Sequence, residues 1–138
     1  PFIIHWGKGL KGKENTINRK VAHFIDILPT CLELAESNYP DSIHGQKTLR
    51  IDGKSLMPLI MTKTKSIHDT LYWEHEGGRA IRVGEWKMSA LGGKTWELFH
   101  VSKDHTETQN LAEKFPYKVS EMNKLWQKWA DSLKIQNR

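Results

Sequence analysis

Four residues with chemically useful side chains, Glu74, His75, Glu76 and Arg79, crowd one short stretch of this sequence. Carboxylates and an imidazole can exchange protons or hold a polar ligand, and a turn on a rigid hairpin is a place where a fold presents such groups. The alternative is a solvated turn that contains an Arg and Glu pair, and spacing alone favours this alternative. Nothing in the neighbouring sequence identifies a ligand.

Other kinds of catalytic site do not appear in the sequence. There is no G-x-S-x-G motif, and the segment GKGLKGK lacks the spacing and the final Ser or Thr of a phosphate-binding loop. The seven histidines lie too far apart to form a recognisable metal signature, so no metal ligand is predicted. The single cysteine, Cys31, excludes an internal disulfide and is predicted to be a buried thiol. No catalytic residue is assigned.

A small antiparallel sheet of about four strands is predicted to position the polar stretch. Residues 71–76 and 79–83 alternate apolar and polar side chains, and Gly77 and Gly78 supply the positive φ that a two-residue turn needs. Further reversals at residues 84–85 and 92–93 lead into two more β-rich runs, at residues 86–90 and 94–101.

A C-terminal helix is predicted to cover one face of this sheet. It begins at Pro116 and carries an apolar stripe at three- and four-residue steps: Val119, Met122, Trp126, Trp129 and Leu133. Trp126 and Trp129 are therefore expected to be buried structural residues. Arg79 and Arg82 are also interpreted as structural, because strand alternation puts one of them against the sheet's neighbours.

The first part of the chain predicts a different organisation. Residues 1–6 are apolar on both faces, as in a strand of a buried parallel sheet. Asp26 is predicted to cap a helix with an apolar stripe formed by Leu28, Cys31, Leu32 and Ala35. A surface excursion over residues 39–54 precedes a short helical turn that begins near Ser55. A polar linker then divides residues 1–62 from residues 63–138.

The composition is that of a globular protein. The chain has 138 residues, of which 38% are hydrophobic, enough for a modest core. The net charge of +5 comes from scattered lysines and arginines, so nucleic acid is not an expected partner. No run approaches the roughly 18 apolar residues of a membrane span, and no signal peptide is recognisable. The apolar start without a methionine suits an internal strand of a larger protein better than a natural terminus.

Five segments, taken in order, resemble the C-terminal portion of the sulfatases of the alkaline phosphatase superfamily. IDILPTCLELAE is similar to the family's D-x-x-P-T helix, and LYWEHEGGRAIRVGEWK is similar to its W-E-x-x-x-x-R-A hairpin. The others are PFIIHWGKG, DGKSLMPLI and WELFHVSKDHTETQNLA. Departures are small: Phe99, His100 and Val101 stand where the family has Tyr, Asp and Leu, and His105 replaces a proline.

The resemblance implies an α+β fold in two parts. Residues 1–62 correspond to the last strand and helix of an incomplete α/β catalytic domain. Residues 63–138 correspond to the C-terminal subdomain, a small antiparallel sheet packed by a C-terminal helix. In the family the hairpin loops of this subdomain approach the rim of the active site. His75 and Glu76, followed by Glu74, thereby become candidates for substrate contact, whereas Asp26 is assigned a structural role.

The resemblance also implies that the full-length protein is a sulfatase, a sulfuric ester hydrolase acting on a sulfated carbohydrate or an aryl sulfate. Such enzymes use a formylglycine made from a C/S-x-P-x-R motif and a bound calcium, and they are periplasmic or secreted. Those groups lie upstream of Pro1 in the family's order, so this chain is expected to hold neither cofactor. Cys31 lacks the motif's proline and arginine and is excluded as the nucleophile. The chain would complete the fold, with the upstream part as its partner, and be inactive alone.

A rival interpretation is a non-catalytic module, derived from a sulfatase, that binds carbohydrate through tryptophans on its sheet or acts as a scaffold. It predicts exposed tryptophans. The sulfatase interpretation predicts that Trp126 and Trp129 are buried and that Phe2, Ile3 and Ile4 need a sheet that this chain does not supply. A sulfatase-like protein that has lost its activity is a third interpretation compatible with this sequence.

Overall fold

The structure, a computed structural model, describes residues 2–10, 12–13, 15–62 and 66–134. Pro1 and residues 63–65 of the predicted linker lie outside the described residues. The chain divides into two compact units, Pro1–Ile67 and His68–Arg138. Within the part of the chain that the structure describes, no helix is both long enough and apolar enough to cross a bilayer.

The first unit contains two short helices and a small hairpin. A 3-10 turn, Phe24–Asp26, leads directly into helix α1, Ile27–Leu34. Strands β1 (Ser42–Ile43) and β2 (Gln46–Lys47) form a two-residue hairpin within the predicted surface excursion. Helix α2 follows at Met57–Met61, and its first amide donates a hydrogen bond to the Ser55 hydroxyl.

Two predictions for this unit were wrong. Residues 2–6 form no strand, since no other described strand offers them hydrogen-bonding partners, and Phe2 and Ile3 are 61% and 87% exposed. Cys31 is exposed rather than buried, together with Leu28 on the same helix. Helix α1 instead buries the polar Thr30, so hydrogen bonds rather than an apolar stripe fix it in the unit.

Asp26, which is fully buried, joins the two helices. Its carboxylate accepts hydrogen bonds from the backbone N–H of His23 at 2.8 Å and of Lys54 at 2.9 Å. The Thr30 hydroxyl donates to the Asp26 carbonyl at 2.6 Å and accepts from the Leu56 N–H at 2.8 Å. Asp26 does occupy the N-cap position of α1, but its side chain makes no capping bond there. The carboxylate instead accepts hydrogen bonds from the preceding turn and from the segment that leads into α2.

The second unit is the predicted antiparallel sheet. Its strands are β3 (Thr70–His75), β4 (Gly78–Val83), β5 (Trp86–Ala90) and β6 (Glu97–His100), and they lie in sequence order. Each strand pairs with the next through a simple reversal. The β3–β4 turn and the β5–β6 loop therefore lie at one end of the sheet, and the β4–β5 turn lies at the other.

The β3–β4 turn is shifted by one residue from its predicted position. His75 pairs with Gly78, so Glu76 and Gly77 are the central residues, with φ of +50° and +80°. Two consecutive residues with positive φ are typical of the tight turn that suits the twist of a hairpin. Gly78 begins β4 instead of turning the chain. The left-handed conformation costs a non-glycine residue such as Glu76 about 1 kcal/mol.

Helix α3, Pro116–Ser132, begins at the predicted proline and covers one face of the sheet. The core contains three residues from the sheet and three from the helix, each at most 1% exposed: Ile81, Met88, Leu98, Met122, Trp126 and Ala130. Trp126 is buried as expected, whereas Trp129 is half-buried and stacks on Tyr72 with ring centroids 5.0 Å apart. The α+β fold expected for this part of the chain is confirmed.

Candidate functional site

The three substrate-contact candidates come together at the end of the first hairpin, here called the tip (residues 74–77). Glu74 and His75 end strand β3, and Glu76 begins the turn. The Nε2 atom of His75 lies 4.0 Å from a carboxylate oxygen of Glu76, and these side chains are 89% and 86% exposed. Glu74 accepts a hydrogen bond from the Gly77 N–H at 3.1 Å, which steadies the turn. The tip therefore presents an imidazole and a carboxylate to solvent on a rigid base.

Arg79 supports the tip from the face that packs on α3. It pairs with Glu74 across the two strands. Its guanidinium carbon lies 4.6 Å from the ring centroid of Trp96 and 5.7 Å from that of Trp126, close enough for cation–π attraction. Its Nη2 atom donates to the Lys94 carbonyl at 3.4 Å. These contacts use the guanidinium within the fold, in keeping with a structural role.

Arg82 lies away from the tip. In β4 it pairs with Leu71 of β3 and with Lys87 of β5. Its Nε donates to the Gly84 carbonyl at 2.9 Å in the turn at the opposite end of the sheet. Of the two arginines, only Arg79 belongs to the neighbourhood of the candidate residues.

Sequence reasoning missed a second element at this end of the sheet, the β5–β6 loop (residues 91–96). A Cβ atom placed on Gly77 would lie 3.7 Å from the Cα of Gly92, so the turn and the loop are neighbours. The loop is exposed over residues 91–95, and Lys94 is its single charged residue. The signal was available in principle, because alternate reversals of an antiparallel sheet share one end.

A polar turn beyond β6 has a structural explanation. Asp104 accepts hydrogen bonds from the backbone N–H groups of Gln109 at 2.9 Å and Thr108 at 3.2 Å, and from two threonine hydroxyls. These bonds, with the Gln109 amide first, lower the pKa of the Asp104 carboxyl from its ordinary value. Nearby, the Lys87 ammonium binds both carboxylate oxygens of Glu107 at 2.6 and 2.8 Å. The partners account for these charges, so the turn is not a candidate site.

The described residues do not fit a resident metal. Among them, no group of three or more His, Cys, Asp or Glu side chains could hold a metal ion. Cys31 lies exposed on α1 and is followed by Leu32, Glu33 and Leu34, which is not the context of a formylglycine precursor.

Comparison with known proteins identifies the family of the chain. The chain is 36% identical over 134 residues to an uncharacterized sulfatase of Schizosaccharomyces pombe, a match that covers 91% of this chain and 24% of the relative. It is 28% identical over 123 residues to an arylsulfatase of Clostridium perfringens, covering 85% of this chain and 24% of the relative. The chain belongs to the sulfatase family. It corresponds to a C-terminal portion of a sulfatase and spans about a quarter of the length of these curated relatives. No family model matches the chain.

Solved structures show that the sulfatase chain has a known fold. It superposes on the crystal structure of Ps i-CgsB with a TM-score of 0.60 at 23% identity, covering 81% of this chain and 24% of that one. The same protein was solved in complex with k-i-k-neocarrahexaose. A second structure, solved in complex with its substrate D-glucosamine-2-N,6-O-disulfate, matches with a TM-score of 0.56 at 20% identity, covering 79% and 24% of the two chains.

Proposed function

We propose that this sulfatase chain serves a sulfuric ester hydrolase by completing its fold and by forming part of the substrate pocket through the tip. One observation carries the proposal: the tip presents His75 and Glu76 almost fully exposed, on a hairpin that Arg79 and Trp126 anchor to α3. A polar pair on a rigid support is suited to orient a polar substrate, because little conformational freedom is lost when the ligand binds.

The proposed substrate is a sulfated carbohydrate or an aryl sulfate. The support comes from the names of the relatives, which include arylsulfatases, and from two similar structures that were solved with carbohydrates bound. The imidazole and carboxylate of the tip are suited to hydrogen-bond sugar hydroxyls beside the sulfate ester. Proposed partners are thus the sulfated substrate and the upstream part of the same polypeptide. A periplasmic or secreted location belongs to the same proposal.

Sulfate ester hydrolysis itself would use groups outside this chain. Calcium, when bound, would supply positive charge at the ester, and a formylglycine made from a Cys or Ser upstream of this chain would supply the nucleophile. Among the described residues no group of three or more His, Cys, Asp or Glu side chains could hold a metal ion. We therefore propose that they bind and orient the part of the substrate that extends from the reacting sulfate. We accordingly propose that this chain is inactive alone.

The test uses the full-length protein, produced in a host that forms formylglycine, and measures sulfate release from sulfated sugars and an aryl sulfate. His75→Ala is expected to lower kcat/KM on the best sugar substrate about tenfold, the loss of one or two polar contacts. Glu76→Gly should lower kcat/KM while raising stability by about 1 kcal/mol, because it relieves the strained backbone conformation. Neither change should lower the melting temperature.

His105→Ala is the matched control, since His105 is an exposed histidine in the turn beyond β6, at the opposite end of the sheet. Unchanged kinetics for both tip variants on the best substrate would contradict substrate contact at the tip. A wild-type protein that released no sulfate from any of the substrates would contradict the hydrolase itself.

The tryptophans do not support the rival carbohydrate-binding module. Trp126 is 1% exposed in the core, and its indole N–H donates to the Trp73 carbonyl at 3.2 Å. Trp73, Trp86 and Trp96 on the sheet and the loop are half-buried, and Trp96 is further covered by Arg79. A sheet that binds sugar rings needs open aromatic faces.

A further inference from the structure

The β5–β6 loop forms a second wall beside the tip. The closest approach lies between two glycines, with a Cβ on Gly77 placed 3.7 Å from the Gly92 Cα. Gly92 and Gly93 have open space where their side chains would extend, and Gly93 has φ of +71°. A ligand that lies over the tip can therefore approach the loop backbone closely, which larger side chains would prevent.

The loop is fixed relative to the tip rather than loosely attached. The Arg79 guanidinium donates to the Lys94 carbonyl at 3.4 Å and lies over the Trp96 ring. The Trp96 indole N–H donates in turn to the Asn123 side chain on α3 at 2.8 Å. The Lys94 backbone is thus held at its own carbonyl and, two residues further on, at Trp96, so its side chain extends from an anchored part of the loop.

The charges at this end of the sheet explain what Lys94 would bind. The tip contributes two carboxylates, Glu74 and Glu76, and these repel the anionic groups of a sulfated substrate. The guanidinium of Arg79 is engaged with Trp96 and with a carbonyl. Lys94 is the cation of the loop, and it is exposed. A lysine ammonium is a compact charge that suits a sulfate or carboxylate group.

We infer that Lys94 contacts a second anionic group of the substrate, a sulfate ester or a carboxylate, while the tip binds the hydroxyls of the same or the next sugar. This inference rests on the proposed function. It divides the pocket wall into a hydroxyl-binding side at the tip and an anion-binding side at the β5–β6 loop. The chain would thereby favour substrates that carry more than one negative charge.

The experiment measures inhibition of aryl sulfate hydrolysis by the full-length protein. The competing ligands are glucosamine with one sulfate, glucosamine with two sulfates, and a monosulfated disaccharide that contains a uronate. Lys94→Ala is expected to raise the inhibition constant of the doubly charged ligands about 5- to 10-fold. It should leave the inhibition constant of the monosulfated sugar unchanged within twofold. The two doubly charged ligands distinguish a sulfate site from a carboxylate site.

Two further variants separate charge from structure. Lys94→Arg should retain tight inhibition, and Lys103→Ala, which removes an exposed lysine beyond the far end of β6, should behave as wild type. Added salt should weaken inhibition of the wild type by the doubly charged ligands more than inhibition of Lys94→Ala, because the contact is screened.

The possible failures are distinguishable. In one outcome, Lys94→Ala and wild type have equal inhibition constants with every doubly charged ligand, while His75→Ala weakens inhibition by the same sugars. This result would overturn the role of Lys94 and leave substrate contact at the tip supported. A wild-type protein without aryl sulfate hydrolysis, or inhibition unaffected by His75→Ala, would overturn the proposed function and the inference with it.

Discussion

Replacing Trp126 by alanine tests how the helix stabilises the sheet that bears the tip. The Trp126 side chain is 1% exposed, packs edge-on against Trp96 with centroids 5.8 Å apart, and donates its indole N–H to the Trp73 carbonyl. A buried indole removes roughly 200 Å² from water, which corresponds to about 5 kcal/mol as an upper value. Measured tryptophan-to-alanine changes in cores cost about 3 to 5 kcal/mol. We therefore expect a loss of about 4 kcal/mol in the free energy of unfolding.

Urea unfolding of the 138-residue chain, followed by tryptophan fluorescence, is the appropriate assay. Within this chain Trp6 is the single tryptophan of the first unit, and the other five report on the second. With a slope of about 2 kcal/mol per molar urea, the midpoint should fall by about 2 M. Trp126→Phe keeps a ring but loses the N–H donor, so its urea midpoint should fall by less than half as much. The urea midpoint of Trp129→Ala should lie between those of these two variants, because the Trp129 ring is only half-buried against Tyr72.

Tyr117→Ala is the control on the same helix, since the Tyr117 side chain is 91% exposed and its loss should change stability by at most about 0.5 kcal/mol. Urea midpoints can be compared to within roughly 0.3 M. A Trp126→Ala midpoint that differs from wild type by less than this would refute the packing argument.

Two other substitutions probe the polar structure. Asp26→Ala leaves the backbone amides of His23 and Lys54 without their buried acceptor, so the free energy of unfolding should fall by about 2 to 4 kcal/mol. Asp26→Asn should lower it by less. Equal urea midpoints for Asp26→Ala and wild type would contradict this role. Folding lowers the pKa of Asp104. Its ionised carboxylate therefore stabilises the fold at pH values above the unfolded pKa, which is near 4. This contribution is lost as the pH falls through the folded pKa. Asp104→Asn should therefore be less stable than wild type at pH 6 and should approach it in acid; a stability difference that is independent of pH would be inconsistent with this linkage.

The parts of the fold that the sequence predicted correctly are those set by local pattern. Alternating residues and glycine reversals gave the four strands, and the proline with its apolar repeat gave α3 from its first residue. The turn at the tip was misplaced because Gly77 and Gly78 are equally able to turn the chain, and only the pairing of His75 with Gly78 decides between them.

The remaining features depend on residues that are distant in sequence. Asp26 was predicted to cap α1, but Lys54, 28 residues further on, takes up its carboxylate. The apolar stripe of α1 predicted a buried Cys31, yet periodicity cannot say whether a partner surface is present. At the candidate site, His75 and Glu76 were identifiable as polar turn residues, whereas the nearness of Lys94 follows from the pairing of β4 with β5 and from the contacts of Arg79. Those contacts are not encoded in any local motif.

The hydrogen bonds of Asp26 and Thr30 have a consequence for tolerance to insertion. They fasten Lys54 and Leu56 to the base of α1, so the ends of the intervening segment are held together whatever its length. Each doubling of such a segment adds only about 0.6 kcal/mol of closure entropy. The exposed hairpin turn at His44 and Gly45 is therefore a suitable place to graft an epitope or a fluorophore.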